Sequence, residues 1–219
     1  MIKIDNLTKS FGQFTAVDGL SFRVAPGEVL GFLGPNGAGK STTMKMITGF
    51  MAPSSGKVTV FENDASVNPL KTKAIIGYLP EGAPSYGDMT TAQFLKFIGK
   101  IRGFRGAELA SRIERVKQQL HLDRVMDQTI DTLSKGFKRR VGMAQAIIHD
   151  PKVLILDEPT DGLDPNQKKE VRELIANLSK DKIVIISTHI LEEVSAVCSR
   201  AIIISGGRIL ADGTPAELE

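Results

Sequence analysis

The chain has 219 residues, of which 42% are hydrophobic, and its 28 basic and 25 acidic side chains give a formal net charge of +3. This balance does not indicate a nucleic-acid-binding protein, and the single cysteine excludes an internal disulfide and a cysteine-rich metal site. No apolar run is long enough to span a membrane, and the first residues lack the apolar segment of a secretory signal. We therefore expect a cytoplasmic protein with one large domain, or one domain with an inserted lobe.

The first third of the chain is predicted to be rich in β-strands. Alternation of apolar and polar residues over 2–7 predicts a half-exposed strand, and residues 14–24 continue this character up to a turn at 26–27. A further strand is predicted over residues 57–61 by their β-branched side chains. These segments predict a β layer around one strand–loop–helix unit.

The loop of that unit, residues 34–42, has the sequence GPNGAGKST and matches the phosphate-binding pattern G-x-x-x-x-G-K-[ST]. An apolar run precedes it as a predicted buried strand, and a helical pattern follows it, which is the order that phosphate binding needs. The glycines let backbone N–H groups turn inward, and the helix start adds further donors. Lys40 would bridge the terminal phosphates and Ser41 would ligate Mg²⁺. The alternative is a glycine-rich turn with an ordinary surface lysine.

The middle of the chain changes from strand to helix. Residues 74–79 predict a second buried strand, which Pro80 ends. Beyond it, apolar residues such as Phe94 and Ile98 recur at helical spacing. We therefore predict an inserted α-helical lobe over about residues 85–149.

The last third alternates strands and helices. Two fully apolar runs, residues 153–156 and 183–186, predict parallel strands in a sheet that lies between helices. Residues 201–210 predict a pair of β-strands joined by a Gly-Gly turn. A capping box begins at Thr214, and because a helix started there needs more residues than remain, we expect the native chain to continue beyond Glu219.

Two acids follow the first of those apolar runs. A carboxylate at the tip of a buried strand, in a chain that carries a phosphate-binding loop, is placed to hold the shell of Mg²⁺, and Asp157 takes this role. Glu158 lies past the strand end, where it can orient or deprotonate the water that attacks the terminal phosphate. The alternative is that the two acids simply close a strand.

Together these residues resemble the nucleotide-binding subunit of the ATP-binding cassette (ABC) transporter family, over essentially the whole chain. Three further segments carry the resemblance: residues 133–137 as the signature, 162–164 as the loop after the acids, and 187–189 with the switch histidine. The resemblance implies an α/β fold, with a P-loop NTPase core of mostly parallel sheet, an N-terminal antiparallel β layer and the inserted α-helical lobe. The core and β layer would comprise about residues 1–84 and 150–219.

The resemblance also implies roles for single residues. Two chains would close head to tail around two ATP molecules with Mg²⁺, as a homodimer or as a heterodimer with a related ATPase, and Ser134 and Gly136 at a helix start would serve the partner's ATP. His189 would contact the terminal phosphate and hold Glu158 and water in line. Phe11 would either stack on adenine or be an ordinary core residue. The implied nucleotide-binding residues are Phe11, Gly34, Asn36, Gly37, Ala38, Gly39, Lys40, Ser41, Thr42, Glu81, Ser134, Gly136 and Asp164, with Ser41, Asp157 and Glu81 at the metal.

Three positions depart from the family pattern. Lys135 replaces the first glycine of the signature, and Phe137 replaces its glutamine. Glu81 occupies the position of a glutamine that, in the family, senses Mg²⁺ and the membrane partner. This combination looks like the branch of ABC ATPases that serve separately encoded export permeases in gliding-motility, multidrug, sodium-extrusion and copper-enzyme maturation systems.

The resemblance implies an ATPase that is peripheral on the inner face of the cell membrane and drives an integral membrane permease, an exporter. One alternative is a soluble ABC-type ATPase that acts on ribosomes or nucleic acid, although the sequence shows no second cassette, coiled coil or basic extension. A second alternative is a P-loop kinase or GTPase, although the sequence has no guanine-reading Asn-Lys-x-Asp segment. We expect no nucleic-acid partner.

Overall fold

A computed structural model describes residues 1–82 and 85–218 of the chain. Residues 83, 84 and 219, where the sequence predicts one boundary of the helical lobe and a continuation of the chain, lie outside the described residues. The strands in the described ranges are β1 (Ile2–Phe11), β2 (Phe14–Val24), β3 (Val29–Leu33), β4 (Ser55–Val60), β5 (Asn63–Asp64), β6 (Ile76–Leu79), β7 (Val153–Asp157), β8 (Ile183–Thr188), β9 (Arg200–Ser205) and β10 (Arg208–Gly213).

The helices in the same ranges are α1 (Lys40–Ile47), α2 (Pro69–Ile75), α3 (Thr91–Ile101), α4 (Gly106–Gln119), α5 (Lys135–Ile147), α6 (Pro165–Leu178), α7 (Leu191–Val197) and α8 (Pro215–Leu218). Short 3-10 turns lie at Asp123–Val125, Ile130–Thr132 and Ser179–Asp181. A capping box starts α3, since the Gln93 backbone N–H donates to Thr90 Oγ1 (3.2 Å) and the Thr90 N–H donates to Gln93 Oε1 (2.9 Å). A membrane-spanning helix would have to be longer and more apolar than any in the described ranges.

The strands form two sheets. The first has the order β2-β1-β4-β5 and is antiparallel, and the second has the order β10-β9-β3-β8-β7-β6, in which only the β9–β10 pair is antiparallel. This architecture confirms the predicted P-loop NTPase fold class with a mostly parallel sheet and an N-terminal antiparallel layer. Register places Asp157 opposite Ser187, so the carboxyl ends of β7 and β8 meet at one edge of the sheet.

The parallel sheet is covered on both faces, which explains the continuous apolar runs of its central strands. Along β7, Leu154 and Leu156 pack on one face with side chains of α3, α4, α5 and α6. Val153 and Ile155 pack on the other face with α1 and the antiparallel sheet. The helices predicted on both faces are present, and on this second face the alternating apolar residues of β1, β2 and β4 add the antiparallel sheet beside α1.

Two element boundaries differ from the prediction. Residues 74–79 do not form one strand, because the first two residues of this apolar run end α2. Pro69 favours the helix at its first position, and β6 begins where Ile76 pairs with Val153 of β7. In the antiparallel sheet, β1 extends past the predicted residue 7 to Phe11. That extension brings the hairpin between β1 and β2 to the site described next.

Candidate functional site

An open cavity of about 610 Å³ lies where the carboxyl edge of the parallel sheet meets the start of α1. Such an edge is where ligands bind in open α/β sheets, because loops that leave neighbouring strands diverge there. Its lining combines the phosphate-binding loop, the β1–β2 hairpin and the segments that follow β6, β7 and β8. The lining residues are Phe11, Phe14, Ala16, Asn36, Gly37, Gly39, Lys40, Ser41, Thr42, Glu81, Glu158, Asp161 and His189.

Glycines in the phosphate-binding loop are required by close approach of the backbone. A Cβ on Gly34 would lie 2.3 Å from the carbonyl oxygen of Ile204, and one on Gly39 would lie 2.5 Å from that of Ala16. Gly39 also has a φ of 104°, which side-chain-bearing residues rarely adopt. The loop is therefore wedged between β2 and β9, and α1 starts directly after it with Lys40.

Lys40 is a buried cation, with 5% of its surface exposed. Its ammonium donates to the carbonyl oxygens of Gly34 (2.7 Å) and Pro35 (3.2 Å) and lies 3.5 Å from Glu158 Oε1. A buried charge is tolerated only when it is paired and hydrogen-bonded, and these contacts satisfy that condition. The lysine thus sits between the loop and the acid that follows β7.

Asp157 ends β7 and has one oxygen bonded and one unpaired. The hydroxyls of Ser41 (3.2 Å) and Ser187 both donate to Oδ1, whereas Oδ2 is buried without a hydrogen-bond partner among residues 1–82 and 85–218. An unpaired buried carboxylate oxygen is costly, and hydroxyl and carboxylate oxygens are the donors that hard divalent cations prefer. Within the described ranges no three His, Cys, Asp or Glu side chains form a metal cage. The donor set fits a cation that takes its remaining ligands from phosphate and water, as Mg²⁺ does.

Glu158 turns out of the strand direction toward the cavity. Its φ of 49° is left-handed, which costs a non-glycine residue on the order of 1 kcal/mol, and its backbone N–H is held by the Ser187 carbonyl (3.1 Å) and hydroxyl (3.2 Å). Burial raises the pKa of the Glu158 carboxyl above its ordinary value, and the charges of Lys40 and His189 only partly offset this. Nδ1 of His189 lies 3.1 Å from Glu158 Oε2. An acid with a raised pKa, oriented by an imidazole, is suited to accept a proton from water.

Phe11 is not a core residue, since 48% of its surface is exposed. Its ring lines the cavity, and the Lys9 ammonium lies 5.2 Å from the ring centre. Phe14, on the other side of the hairpin turn, also lines the cavity and is exposed. Sequence reasoning missed Phe14, although two aromatic residues flanking a Gly12 turn were a signal that could have identified it. Both rings are available to stack on a planar ligand.

Most of the other predicted site residues meet at this edge, and three do not. Gly34 and Ala38 belong to the loop without lining the cavity, and Asp157 lies behind the lining through its bond to Ser41. Outside the cavity, Ser134 caps α5 by accepting from the Phe137 N–H (3.3 Å), Asp164 caps α6 by accepting from the Gln167 N–H (2.9 Å), and Gly136 packs against the Gln167 side chain. A role for these three toward a nucleotide stays a prediction.

Two polar residues of the site were missed as site residues by the sequence reasoning. Ser187 bonds both Asp157 and Glu158, and a buried hydroxyl at the end of an apolar strand was the signal for it. Asp161 lines the cavity four residues after Asp157, in a segment where sequence alone gave no reason to choose it.

Comparison with known proteins identifies the family. Residues 17–161 match the ABC transporter family. The chain is 37% identical over 218 residues to the Nod factor export ATP-binding protein I of Paraburkholderia xenovorans, covering 99% of this chain and 72% of that protein. It is 36% identical over 220 residues to the probable multidrug ABC transporter ATP-binding protein YbhF of Escherichia coli, covering the whole chain but only 38% of that protein.

Solved structures agree on the fold. The ATP-binding subunit of an ABC transporter superposes with a TM-score of 0.90 at 28% identity, over 100% of this chain and 91% of that one. A dimeric bacterial ABC transporter cassette also gives 0.90, over 98% and 99% of the two chains, although at 23% identity it supports the fold alone. The family match excludes the alternative of a P-loop kinase or GTPase. With a phosphate-binding loop and an acid pair at one cavity, the chain belongs to the ABC transporter family, as an ATP-binding and ATP-hydrolysing subunit.

Proposed function

We propose that this subunit binds ATP with Mg²⁺ in the cavity at the sheet edge, hydrolyses it, and thereby drives an integral membrane permease that exports its substrate. The observation that carries the proposal is the convergence of Lys40, Glu158 and His189 on one cavity, with Ser41 bonded to Asp157 beside them. A lysine, a hydroxyl–carboxylate pair for a metal and a base are the groups that phosphoryl transfer to water requires.

Each of these groups has a distinct role in the proposal. Lys40 would exchange its loop carbonyl partners for the terminal phosphates, which α1 and the loop N–H groups also bind. Ser41 and Asp157 would hold Mg²⁺, which supplies positive charge to the phosphates. Glu158 would take the proton of the attacking water, and His189 would hold the Glu158 carboxylate in position through their 3.1 Å contact.

The charge of the cavity supports a metal. Three carboxylates line it, those of Glu81, Glu158 and Asp161, against the single lysine Lys40. An anionic nucleotide would be repelled by such a lining unless a cation accompanied it. The exposed Phe11 ring, which lines the same cavity, would stack on the adenine.

The residues that the cavity leaves out support a dimer. Ser134 and Gly136 begin α5 outside their own chain's cavity, and Asp164 begins α6 next to them. We propose that they complete the site of a second subunit in a head-to-tail dimer, either two copies of this chain or this chain with a related ATPase. A helix start with free N–H donors suits a phosphate.

A second groove suits the permease. It has a volume of about 500 Å³ and presents the exposed apolar side chains of Phe50, Leu70 and Ile101. Exposed apolar surface of this kind marks protein contact sites. Its wall includes Tyr78 of β6, three residues before Glu81 of the nucleotide cavity, so a permease segment seated there would lie close to the site of hydrolysis. This arrangement would place the chain in the cytoplasm, on the inner face of the cell membrane.

Purification of the tagged chain from detergent-solubilised membranes tests the permease. We expect a polytopic membrane protein to co-purify, and we expect Ile101→Ser to lose it while Val67→Ser, an exposed apolar residue outside the groove, retains it. Both relatives are named as ATP-binding proteins, one for Nod factor export and one for multidrug transport, and this supports a transporter over a soluble ATPase. Recovery with ribosomes and without a membrane protein would contradict the proposal.

Glu81→Gln is expected to keep basal ATP hydrolysis within about tenfold of the wild type, or about 1.4 kcal/mol in the barrier. The carboxamide retains an oxygen that a hard cation accepts, on a side chain of nearly equal length. Its larger effect should be on stimulation by the permease, because Glu81 lines the cavity only three residues after Tyr78 of the groove. The measurement is basal ATPase at saturating Mg²⁺ beside Glu158→Gln, and equal collapse of both variants would place Glu81 in the catalytic machinery.

A further inference from the structure

Asp161 is an acid of the nucleotide cavity that the proposed mechanism does not use. It lines the cavity with Glu158 and Glu81, so it would face the same nucleotide. Glu158 has its own cation, since Lys40 lies 3.5 Å from Oε1. An uncompensated carboxylate near the phosphates would weaken nucleotide binding by repulsion. The question is what compensates Asp161.

Lys135 lies beside Asp161 and outside the lining of the cavity. Its ammonium is 3.3 Å from Asp161 Oδ2, and it crosses Gly162, where an added Cβ would lie 1.8 Å from Nζ. Gly162 also has a φ of 66°. A larger residue is therefore disfavoured there both by the lack of space and by the left-handed backbone. The absence of a side chain at Gly162 thus creates the space through which Lys135 reaches the carboxylate.

The start of α5, which carries Lys135, is fixed against α6 by neighbouring contacts. A Cβ on Gly136 would lie 2.6 Å from Gln167 Oε1, so the two helix starts pack closely. One α5 turn later, Arg140 forms an ion pair with Glu170 of α6. The backbone that carries Lys135 is therefore held close to α6, while its side chain stays 62% exposed and meets Asp161 at the surface of the protein.

We propose that Lys135 is a positioning residue for nucleotide binding, which holds Asp161 at the rim of the cavity and neutralises its charge toward the phosphates. The inference rests on the proposed ATP site. Each of the two acids that line the cavity after β7 then has its own lysine, Lys40 for Glu158 and Lys135 for Asp161. The lysine that this chain has at position 135, in place of the first glycine of the family's signature, thus has an electrostatic function.

Direct titration with a non-hydrolysable ATP analogue and Mg²⁺ tests this. Lys135→Met is expected to raise Kd by about three- to tenfold in low salt, because Asp161 then loses its nearest cation and repels the phosphates more strongly, although solvent and the charge of Arg139 still offset part of this repulsion. The effect should shrink in 1 M salt, and Lys135→Arg should remain near the wild type. The matched control is Lys169→Met, an exposed lysine of α6 that pairs with Glu173.

The Asp161→Asn background separates this role from its alternatives. If Lys135 acts through Asp161, Asp161→Asn alone does not weaken binding, and the Lys135→Met, Asp161→Asn double variant returns to within about twofold of the wild type. A loss that Asp161→Asn does not rescue, no loss at all, or a loss independent of salt would overturn the inference. Failure of the wild type to bind the analogue would instead overturn the proposed site, so the two failures are distinguishable.

Discussion

Glu158→Gln is expected to retain ATP binding while the rate of hydrolysis falls by about 100-fold or more, the usual contribution of a general base. The amide has the shape of the carboxylate and keeps an oxygen for the His189 contact, but it cannot take the proton of the attacking water. The ATP-bound state should accumulate as a long-lived dimer. Light scattering with ATP should show a doubling of mass in the variant.

The matched control is Glu192→Gln, an exposed glutamate at the start of α7, which should behave like the wild type.

The pH dependence of hydrolysis gives a second test. Because burial raises the pKa of Glu158, wild-type kcat should fall, as pH is lowered, at a higher pH than an ordinary glutamate would give. The residual kcat of Glu158→Gln should not show this fall at low pH. If Glu158→Gln hydrolyses ATP at the rate of the wild type, another residue is the general base.

Lys40→Ala is expected to abolish ATP binding at ordinary nucleotide concentrations, with a loss of affinity of about 100-fold or more. Charge-assisted contacts to phosphate contribute about 1.5–3 kcal/mol each, and Lys40 is the one lysine that lines the described cavity. The variant also removes the ammonium that lies 3.5 Å from Glu158 Oε1, so the Glu158 carboxylate would face the phosphates without this cation. Direct titration measures the effect.

Lys45→Ala is the control, because Lys45 is an exposed lysine in the last turn of the same helix. Thermal unfolding of Lys40→Ala must be compared with the wild type, since a buried cation is removed. A folded Lys40→Ala protein with unchanged affinity for ATP would contradict the assignment of the loop.

Sequence alone was sufficient for the fold class, the family and the groups expected at the site. The central strands β7 and β8 are apolar at almost every position because both of their faces are covered. A run of consecutive apolar residues can be recognised in the sequence without knowledge of the fold. The phosphate-binding loop is likewise local, since its glycines, Lys40 and Ser41 are adjacent in the chain. Local patterns also predicted a helix start at Ser134, where α5 begins, and the capped start of the C-terminal helix at Thr214.

Only the tertiary structure decided which side chains meet. The exposure of Phe11 depends on how far β1 extends, and the first residues of 74–79 are helical because Pro69 starts α2 and β7 pairs only from Ile76. Ser41 reaches Asp157 across 116 residues of sequence, and Lys135 reaches Asp161 only because α5 and α6 pack closely at their starts. Such contacts depend on the path of the chain between two positions, and a periodic pattern read along one segment contains no information about that path.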